Sequence, residues 1–195
     1  MPYRLRTFIS VDVERFTRDR LEGLQSQLAA TTSGVRWTEP DNLHITLLFL
    51  GEVDVRESPR ICKAVEEAVK PLAPFEFDVA GLGAFPTTRR PRILIAKIDQ
   101  GADSLKAVHD AIEPAVLELG GYRREDRPFT PHVTLGRVSK DSDGDAIAGA
   151  LAKFAAWTGG QTRVKEVHVM TSQLHPDGPE YTLLSRAKLQ GKPNV

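Results

Sequence analysis

Apolar residues recur along the chain with two different periods, one typical of helices and the other of strands. Leu21, Leu24 and Leu28 are three to four positions apart, so they would share one face of an amphipathic helix. The helix that they predict covers residues 15–30. Similar spacing predicts three further helices, over residues 59–72, 103–119 and 145–154.

The other apolar segments are shorter, rich in β-branched residues and bounded by glycine or proline, which is typical of strands. They predict strands over Arg4–Asp12, 35–38, 43–50, 75–79, 92–98, His132–Val138, 164–174 and 181–189. The last two are predicted to form a hairpin around residues 176–179, where two prolines flank Asp-Gly.

Strands and helices follow one another in two halves of similar kind, with no low-complexity linker between them. This order favours an α+β fold in which helices cover one face of each sheet. The order of strands within the sheets does not follow from the pattern.

Composition and charge narrow the class of protein. The chain has 195 residues, 41% apolar and 27% charged, which predicts one domain over residues 1–195. Its single cysteine, Cys62, excludes an internal disulfide and a cysteine-rich metal site. Lysine plus arginine equals aspartate plus glutamate, 26 each, so charge alone would not hold a long nucleic acid. Apolar runs are too short for a membrane helix and no signal peptide is visible, which predicts a soluble cytoplasmic protein.

One short motif occurs twice, each time on a predicted strand. The pattern His, β-branched residue, Thr, Leu starts at His44 in the first half and at His132 in the second. Alternate side chains of a strand share a face, so His44 and Thr46 point one way, as do His132 and Thr134. If the halves pack as pseudo-symmetric lobes, the two His-Thr faces meet across a cleft.

Two imidazoles and two hydroxyls in one groove suit phosphodiester chemistry without a metal. Imidazole titrates near pH 6.5, so one ring can accept a proton while the other donates one. The hydroxyls of Thr46 and Thr134 can donate hydrogen bonds to the nonbridging phosphate oxygens. Because the two copies are nearly equivalent, spacing alone does not say which histidine is the acid and which the base.

Arg137 follows the second motif and would add a permanent charge suited to phosphate. Strict alternation, however, places Arg137 on the face away from His132. A β-bulge at Gly136, or strand twist there, is needed to bring the guanidinium into the groove. The equivalent position in the first copy is Phe49, and either side chain could stack on a nucleobase.

Two features remain open from the residues alone. His175 precedes the predicted turn, and its position relative to the cleft is not determined. Two basic clusters could each border the cleft and contact RNA: Arg89, Arg90 and Arg92, and Arg123, Arg124 and Arg127.

The paired motifs resemble the signature of the 2H phosphoesterases. More narrowly, the chain is similar along nearly its whole length to the RNA 2′,3′-cyclic phosphodiesterases, historically called 2′-5′ RNA ligases. Besides the two motifs, segments 6–12, 35–44, 49–52, 81–86, 127–132 and 172–181 carry this resemblance.

The resemblance implies a bilobed, pseudo-symmetric, duplicated α+β fold. In such a fold two antiparallel sheets face a central cleft and the helices lie on the outside. It implies metal-independent opening of a 2′,3′-cyclic phosphate to a 2′-phosphomonoester, with reverse 2′-5′ ligation as a possibility. By the same resemblance His44 is the proton donor, His132 the proton acceptor and Arg137 a substrate contact.

We expect no cofactor, metal, membrane or obligatory protein partner. The chain is expected to be a monomer. Its expected substrates are RNA ends or cyclic nucleotides. Two alternatives remain. The same chemistry could act on small cyclic nucleotides or 2′-5′ oligonucleotides, or the chain could be a non-catalytic module that binds nucleotides or RNA ends.

Overall fold

The computed structural model describes residues 3–124, 127–140, 142–175 and 178–193. Within these residues, nine strands and four α-helices follow the order β1 α1 β2 β3 α2 β4 β5 α3 β6 α4 β7 β8 β9. The strands are β1 (Arg4–Asp12), β2 (Val35–Trp37), β3 (His44–Asp54), β4 (Phe75–Thr87), β5 (Arg90–Ile98), β6 (His132–Val138), β7 (Thr158–Val164), β8 (Glu166–His175) and β9 (Gly178–Lys188). The helices are α1 (Arg15–Ala29), α2 (Ser58–Val69), α3 (Ala102–Leu117) and α4 (Gly144–Lys153).

The strands form two antiparallel groups of matching topology. One group has the order β3-β1-β8-β9 and the other β6-β5-β4-β7, so each motif strand stands at the inner end of its group. The predicted α+β class and duplicated, antiparallel architecture are confirmed. In one respect the prediction is refined: the two sheets join into a single nine-stranded sheet.

The junction between the groups is narrow. β3 and β6 pair only at Ile45 and Val133, and beyond this point β2 pairs with β6 instead. β2 thus supplies the backbone partners for the last residues of β6, which would otherwise form an open edge. The central cleft is lined by residues of β1, β2, β3, β6, β8 and β9.

The core lies on the face opposite the motif histidines. Ile45 and Val133 are fully buried there, in one apolar cluster with Leu21 of α1, Ile61 of α2 and Ile112 of α3. Burial of these helix faces stabilises the fold because each apolar side chain removed from water contributes a favourable transfer free energy. The four predicted helices are confirmed in position, with ends that shift by a few residues.

Two strands, β7 and β4, differ most from the prediction. Residues 158–164 form β7, which was not predicted because its sequence, Thr-Gly-Gly-Gln-Thr-Arg-Val, lacks an apolar alternation. It is stabilised by pairing with β4 and by a hydrogen bond from the buried Thr162 hydroxyl to Thr17 (3.1 Å). β4 extends through the segment predicted as a glycine- and proline-rich connection, because β5 supplies its backbone partners.

The predicted hairpin near the C-terminus is present. β8 and β9 pair antiparallel up to His175 and Gly178. Pro176 and Asp177, which the prediction placed in the turn, lie outside the described residues.

Candidate active site

The pairing of β3 with β6 brings the two motifs together at their centres. Ile45 and Val133 are the middle residues of the two His-x-Thr sequences, and they are direct partners. In an antiparallel pair this register sets His44 towards Thr134 and Thr46 towards His132. All four side chains are half-buried on the face opposite the core. The predicted convergence of two imidazoles and two hydroxyls is therefore present in the structure.

Both imidazoles are held in the same way. Nδ1 of His44 donates to the carbonyl oxygen of Asn42, and Nδ1 of His132 donates to that of Thr130, each at 2.7 Å. A carbonyl only accepts, so the proton is on Nδ1 and the reactive nitrogen of each ring is Nε2. Nε2 of His44 lies 3.0 Å from the Thr46 hydroxyl. Within the described residues no hydrogen bond is made to Nε2 of His132.

A β-bulge follows the threonine in each motif strand. On β6, Thr134 pairs with Ile95 and Gly136 with Leu94, so Leu135 has no partner on β5. This extra residue reverses the alternation after Thr134 and brings Arg137 to the same face as the histidines. The sequence required a bulge or strand twist at Gly136, and the structure has a bulge whose extra residue is Leu135, directly before it.

The same irregularity occurs on β3. Thr46 pairs with Ser10 and Leu48 with Ile9, which leaves Leu47 without a partner on β1. Leu47 and Leu48 are both buried as a result, and Phe49 is left 42% exposed on the cleft side. Arg137 and Phe49 thus occupy equivalent positions.

A cleft of about 590 Å³ contains most of the predicted residues. His44, Thr46, Thr134, Arg137 and Phe49 all line it. His132 is not among its lining residues.

The ring of His132 packs edge-on against Phe85 of β4, with ring centroids 5.0 Å apart. It is nevertheless close enough that its charge lowers the pKa of His44. His175, whose place was open, also lines the cleft, whereas neither predicted basic cluster does.

The cleft includes residues that the sequence did not single out. Arg6, Phe8, Arg36 and Tyr181 line it together with the motif residues. Arg6 and Phe8 alternate on β1, so their shared face was visible in the sequence. Nothing in the sequence, however, indicated that β1 and β2 border the motif strands.

Aromatic rings enclose His44. Phe8 stacks on its imidazole with centroids 5.1 Å apart, and Tyr181 contacts it edge-on at 5.5 Å. Phe8 and Tyr181 also touch each other at 5.0 Å. These contacts fix the ring plane of His44 and shield part of the ring from water.

Burial lowers the pKa of both motif histidines below the usual 6.5, because an apolar environment disfavours the imidazolium. The carbonyl oxygens of Asn42 and Thr130 oppose this effect. The charge of Asp12 also raises the pKa of His44, whereas no carboxylate of the described residues acts on His132. The charge of Asp12 therefore favours the imidazolium of His44, while the charge of His132 opposes it.

Asp12 is itself paired away from the cleft. Its carboxylate lies 3.4 Å from Nδ1 of His168, whose Nε2 is 2.9 Å from Glu166. The hydrogen bond to His168 lowers the pKa of Asp12, and the two carboxylates raise the pKa of His168. Among the described residues, no cluster of three or more histidine, cysteine or acidic side chains is arranged to hold a metal. No helix in the described part of the chain could cross a bilayer.

Comparison with known proteins identifies the family. A family model described as the 2′-5′ RNA ligase superfamily matches residues 14–176. An Archaeoglobus fulgidus protein named RNA 2′,3′-cyclic phosphodiesterase is 33% identical over 177 residues, 91% of this chain and 96% of that protein. A Methanothermobacter thermautotrophicus protein of the same name is 30% identical over 179 residues, 92% of this chain and 96% of that protein.

The fold has a match among solved structures. The crystal structure of TT0787 from Thermus thermophilus is 28% identical in sequence, with a TM-score of 0.80. The match covers 96% of this chain and all of that one. The family-model match, the two archaeal relatives and the shared fold show that the chain belongs to the 2′-5′ RNA ligase superfamily.

Proposed function

We propose that this chain hydrolyses RNA 2′,3′-cyclic phosphate ends to 2′-phosphomonoesters. The observation that carries the proposal is the pair of equivalent histidines, each fixed through Nδ1 with Nε2 as the reactive atom. Binding alone would not require two matched proton-transfer groups. The names of the two archaeal relatives support the same substrate.

In the proposed reaction His132 is the base. Its Nε2 has a lone pair without a hydrogen bond from any described residue, so it can take a proton from water. The water oxygen then attacks phosphorus, and the bond between phosphorus and the ribose 3′ oxygen breaks.

His44 is the acid in this scheme. When protonated, it keeps the Nδ1 hydrogen bond to Asn42 and donates the Nε2 proton to the leaving 3′ oxygen. The charge of Asp12, cross-strand neighbour of His44, supports this assignment because it favours the imidazolium. Ligation of 2′-5′ ends would be the reverse step, with acid and base exchanged.

Three further side chains stabilise the charge that develops on the nonbridging oxygens. Thr46 and Thr134 donate hydroxyl hydrogen bonds, and Arg137 supplies a guanidinium from the bulged end of β6. Phe49, at the position equivalent to Arg137, is 42% exposed in the cleft and can stack on a base. We further propose that residues 1–195 act as one two-lobed cytoplasmic monomer.

The direct test is product analysis with the wild-type chain and EDTA. A cyclic-ended RNA, a cyclic mononucleotide and a 2′-5′ dinucleotide are incubated separately, and kcat/KM is measured for each. We expect the cyclic-ended RNA to be the preferred substrate and to yield only the 2′-phosphate. Tight binding without turnover would favour a binding module, and a 3′-phosphate product would exclude the proposed leaving group.

The pH dependence of kcat/KM is a second prediction. Activity requires a protonated His44 and a neutral His132, so the profile should be bell-shaped. Both pKa values are lowered by burial, and the alkaline limb, set by His44, should therefore begin below about pH 6.5. Replacing Asp12→Asn removes a charge that raises the pKa of His44 and should move that limb to lower pH. An optimum well above pH 7, unchanged by Asp12→Asn, would contradict the assignment.

A further inference from the structure

The outer strands β8 and β9 curl over the cleft towards the start of β3. In the register of the sheet, Tyr181 of β9 is level with Arg6 of β1 through Ser172. His44 of β3 is level with Asp12, at the other end of β1. The six residues from Arg6 to Asp12 span about 20 Å, so the two rings would lie far apart in a flat sheet. The rings of Tyr181 and His44 nevertheless touch, with centroids 5.5 Å apart.

The end of the β8–β9 hairpin projects beyond β1. β8 pairs with β1 up to Ser172, but it pairs with β9 as far as His175. Residues 173–175 and 178–180, here called the ribbon, therefore have only each other as strand partners among the described residues. Two strands alone are marginally stable in water, so the ribbon needs contacts with the rest of the protein to keep one position.

Asn42 makes such a contact from the short turn that precedes β3. Its side-chain amide donates a hydrogen bond to the carbonyl oxygen of Pro179 in the ribbon, at 3.2 Å. The bond joins residues 137 positions apart, so it connects two distant segments of the chain. A second hydrogen bond to the ribbon side of the hairpin, from Gln173 to the hydroxyl of Tyr3, is longer at 3.5 Å and exposed.

Asn42 also holds His44, because its backbone carbonyl accepts the Nδ1 hydrogen bond of the imidazole at 2.7 Å. The contacts form a closed circuit. The Asn42 amide binds Pro179, and Pro179 is two residues from Tyr181 on β9. The Tyr181 ring then packs edge-on against His44, which is bonded to Asn42.

The turn that contains Asn42 is held by its own backbone. The amide N–H of Asn42 donates to the carbonyl oxygen of Glu39 at 2.8 Å, and that of Leu43 to Pro40 at 3.2 Å. The carbonyl oxygen of Asn42 can therefore hold His44 without help from the Asn42 side chain. The side chain serves the contact with the ribbon.

We propose that Asn42 is a positioning residue, whose side-chain bond to Pro179 keeps the ring of Tyr181 against His44 and so keeps the acid enclosed. The inference rests on the proposed role of His44 as the acid. Burial is the main cause that lowers the pKa of His44, and the Tyr181 ring contributes to this burial. Loss of the Asn42 side chain should therefore let water reach the imidazole and raise its pKa towards 6.5.

The charges around His44 do not depend on the ribbon. Among the described residues outside the ribbon, these ionisable groups act on His44 or line its cleft besides Tyr181: Arg6, Asp12, Arg36, Glu39, His132 and Arg137. Burial raises the pKa of the Tyr181 phenol, so it is neutral at the pH at which His44 titrates. On the ribbon, His175 and Glu180 pair with each other at 3.2 Å. The expected change in the pKa of His44 is therefore set by burial.

The test is an NMR titration of the His44 ring in the wild type and in Asn42→Ala, with the His44 signal assigned by its loss in His44→Gln. We expect a higher pKa of His44 in Asn42→Ala. The kcat for a cyclic-ended RNA should fall by about 3- to 10-fold, the effect of losing one hydrogen bond that holds the active arrangement. Tyr181→Ala should raise the pKa in the same direction. The double variant should show no larger shift than the greater single one, because both changes remove the same contact.

Two variants serve as controls. Tyr181→Phe keeps the ring, so the pKa of His44 should stay at its wild-type value. Gln27→Ala removes an amide-to-carbonyl bond of the same length, 3.2 Å to Gly23, on the exposed face of α1. It should change neither the pKa of His44 nor kcat. Thermal unfolding checks the fold of each variant, and Asn42→Ser, whose hydroxyl is one bond shorter than the amide, replaces Asn42→Ala if that variant does not fold.

The outcomes separate this proposal from the proposed function. An unchanged or lowered pKa of His44 in the folded Asn42 variant, or additive shifts in the double variant, would overturn the positioning role and leave the proposed function intact. The titration needs no turnover. If no RNA is hydrolysed, the proposed function fails, and the pKa of His44 still decides whether Asn42 holds Tyr181 in place.

Discussion

Replacing either His44 or His132 with alanine is expected to lower kcat/KM for a cyclic-ended RNA by about 10²- to 10⁴-fold. Each variant removes one of the two groups whose Nε2 takes part in proton transfer. The loss should appear mainly in kcat, because the threonines and the arginine that bind phosphate remain. The measurement is steady-state hydrolysis of the cyclic-ended RNA by the purified variants.

The fold should survive both substitutions, since each ring is half-buried on the cleft face and outside the apolar core. Thermal unfolding monitored by circular dichroism checks this. His109→Gln is the matched control: it changes a histidine on α3, and activity should stay within a few-fold of the wild type. The double variant should be hardly worse than the poorer single variant, because residues that act in one step are not additive. Near-wild-type turnover by either folded single variant would refute the paired roles.

Replacing Arg137→Gln is expected to reduce kcat by about 10²- to 10³-fold, the loss typical when one transition-state stabilising donor is removed. Arg137 reaches the cleft only because of the bulge at Leu135, and its guanidinium is the charge that the threonine hydroxyls cannot supply. Arg137→Lys should recover part of the rate, since it keeps the charge but loses the fork of donors.

KM and kcat separate two roles for Arg137. If Arg137 stabilises the transition state, its loss should lower kcat with a modest change in KM. If Arg137 only binds the substrate in the ground state, its loss should raise KM and leave kcat nearly unchanged. Arg186→Gln, which removes an exposed arginine of β9, should change neither. A large rise in KM with unchanged kcat would place Arg137 in substrate binding only.

Much of the local structure was predictable because it depends on residues close in sequence. The spacing of Leu21, Leu24 and Leu28 predicted α1, and all three are fully buried. β7 was missed because its two glycines and polar residues carry no period, and only its partner β4 and the contact with Thr17 stabilise it as a strand. Propensity is a weak guide where tertiary contacts decide.

Part of the candidate site was likewise predictable from the sequence, and part was not. The four motif residues followed from the repeat, and side-chain alternation showed that a bulge or strand twist was needed at Gly136. The second bulge at Leu47 was not foreseen, because Phe49 posed no apparent conflict with the cleft. Arg6, Arg36 and Tyr181 were missed because they come from three other strands, and strand order cannot be derived from periodicity alone.

The most direct test of the paired proton transfer uses a cyclic-ended substrate in which sulfur replaces the bridging 3′ oxygen. A thiolate leaves without a proton, so this substrate needs the base but not the acid. If His44 donates to the 3′ position and His132 activates water, His44→Ala should hydrolyse the sulfur substrate at close to the wild-type rate, while His132→Ala should remain as impaired as on the oxygen substrate. Equal losses by both variants on both substrates would contradict the assignment of His44 as acid and His132 as base. So would a His132→Ala variant that hydrolyses the sulfur substrate at close to the wild-type rate.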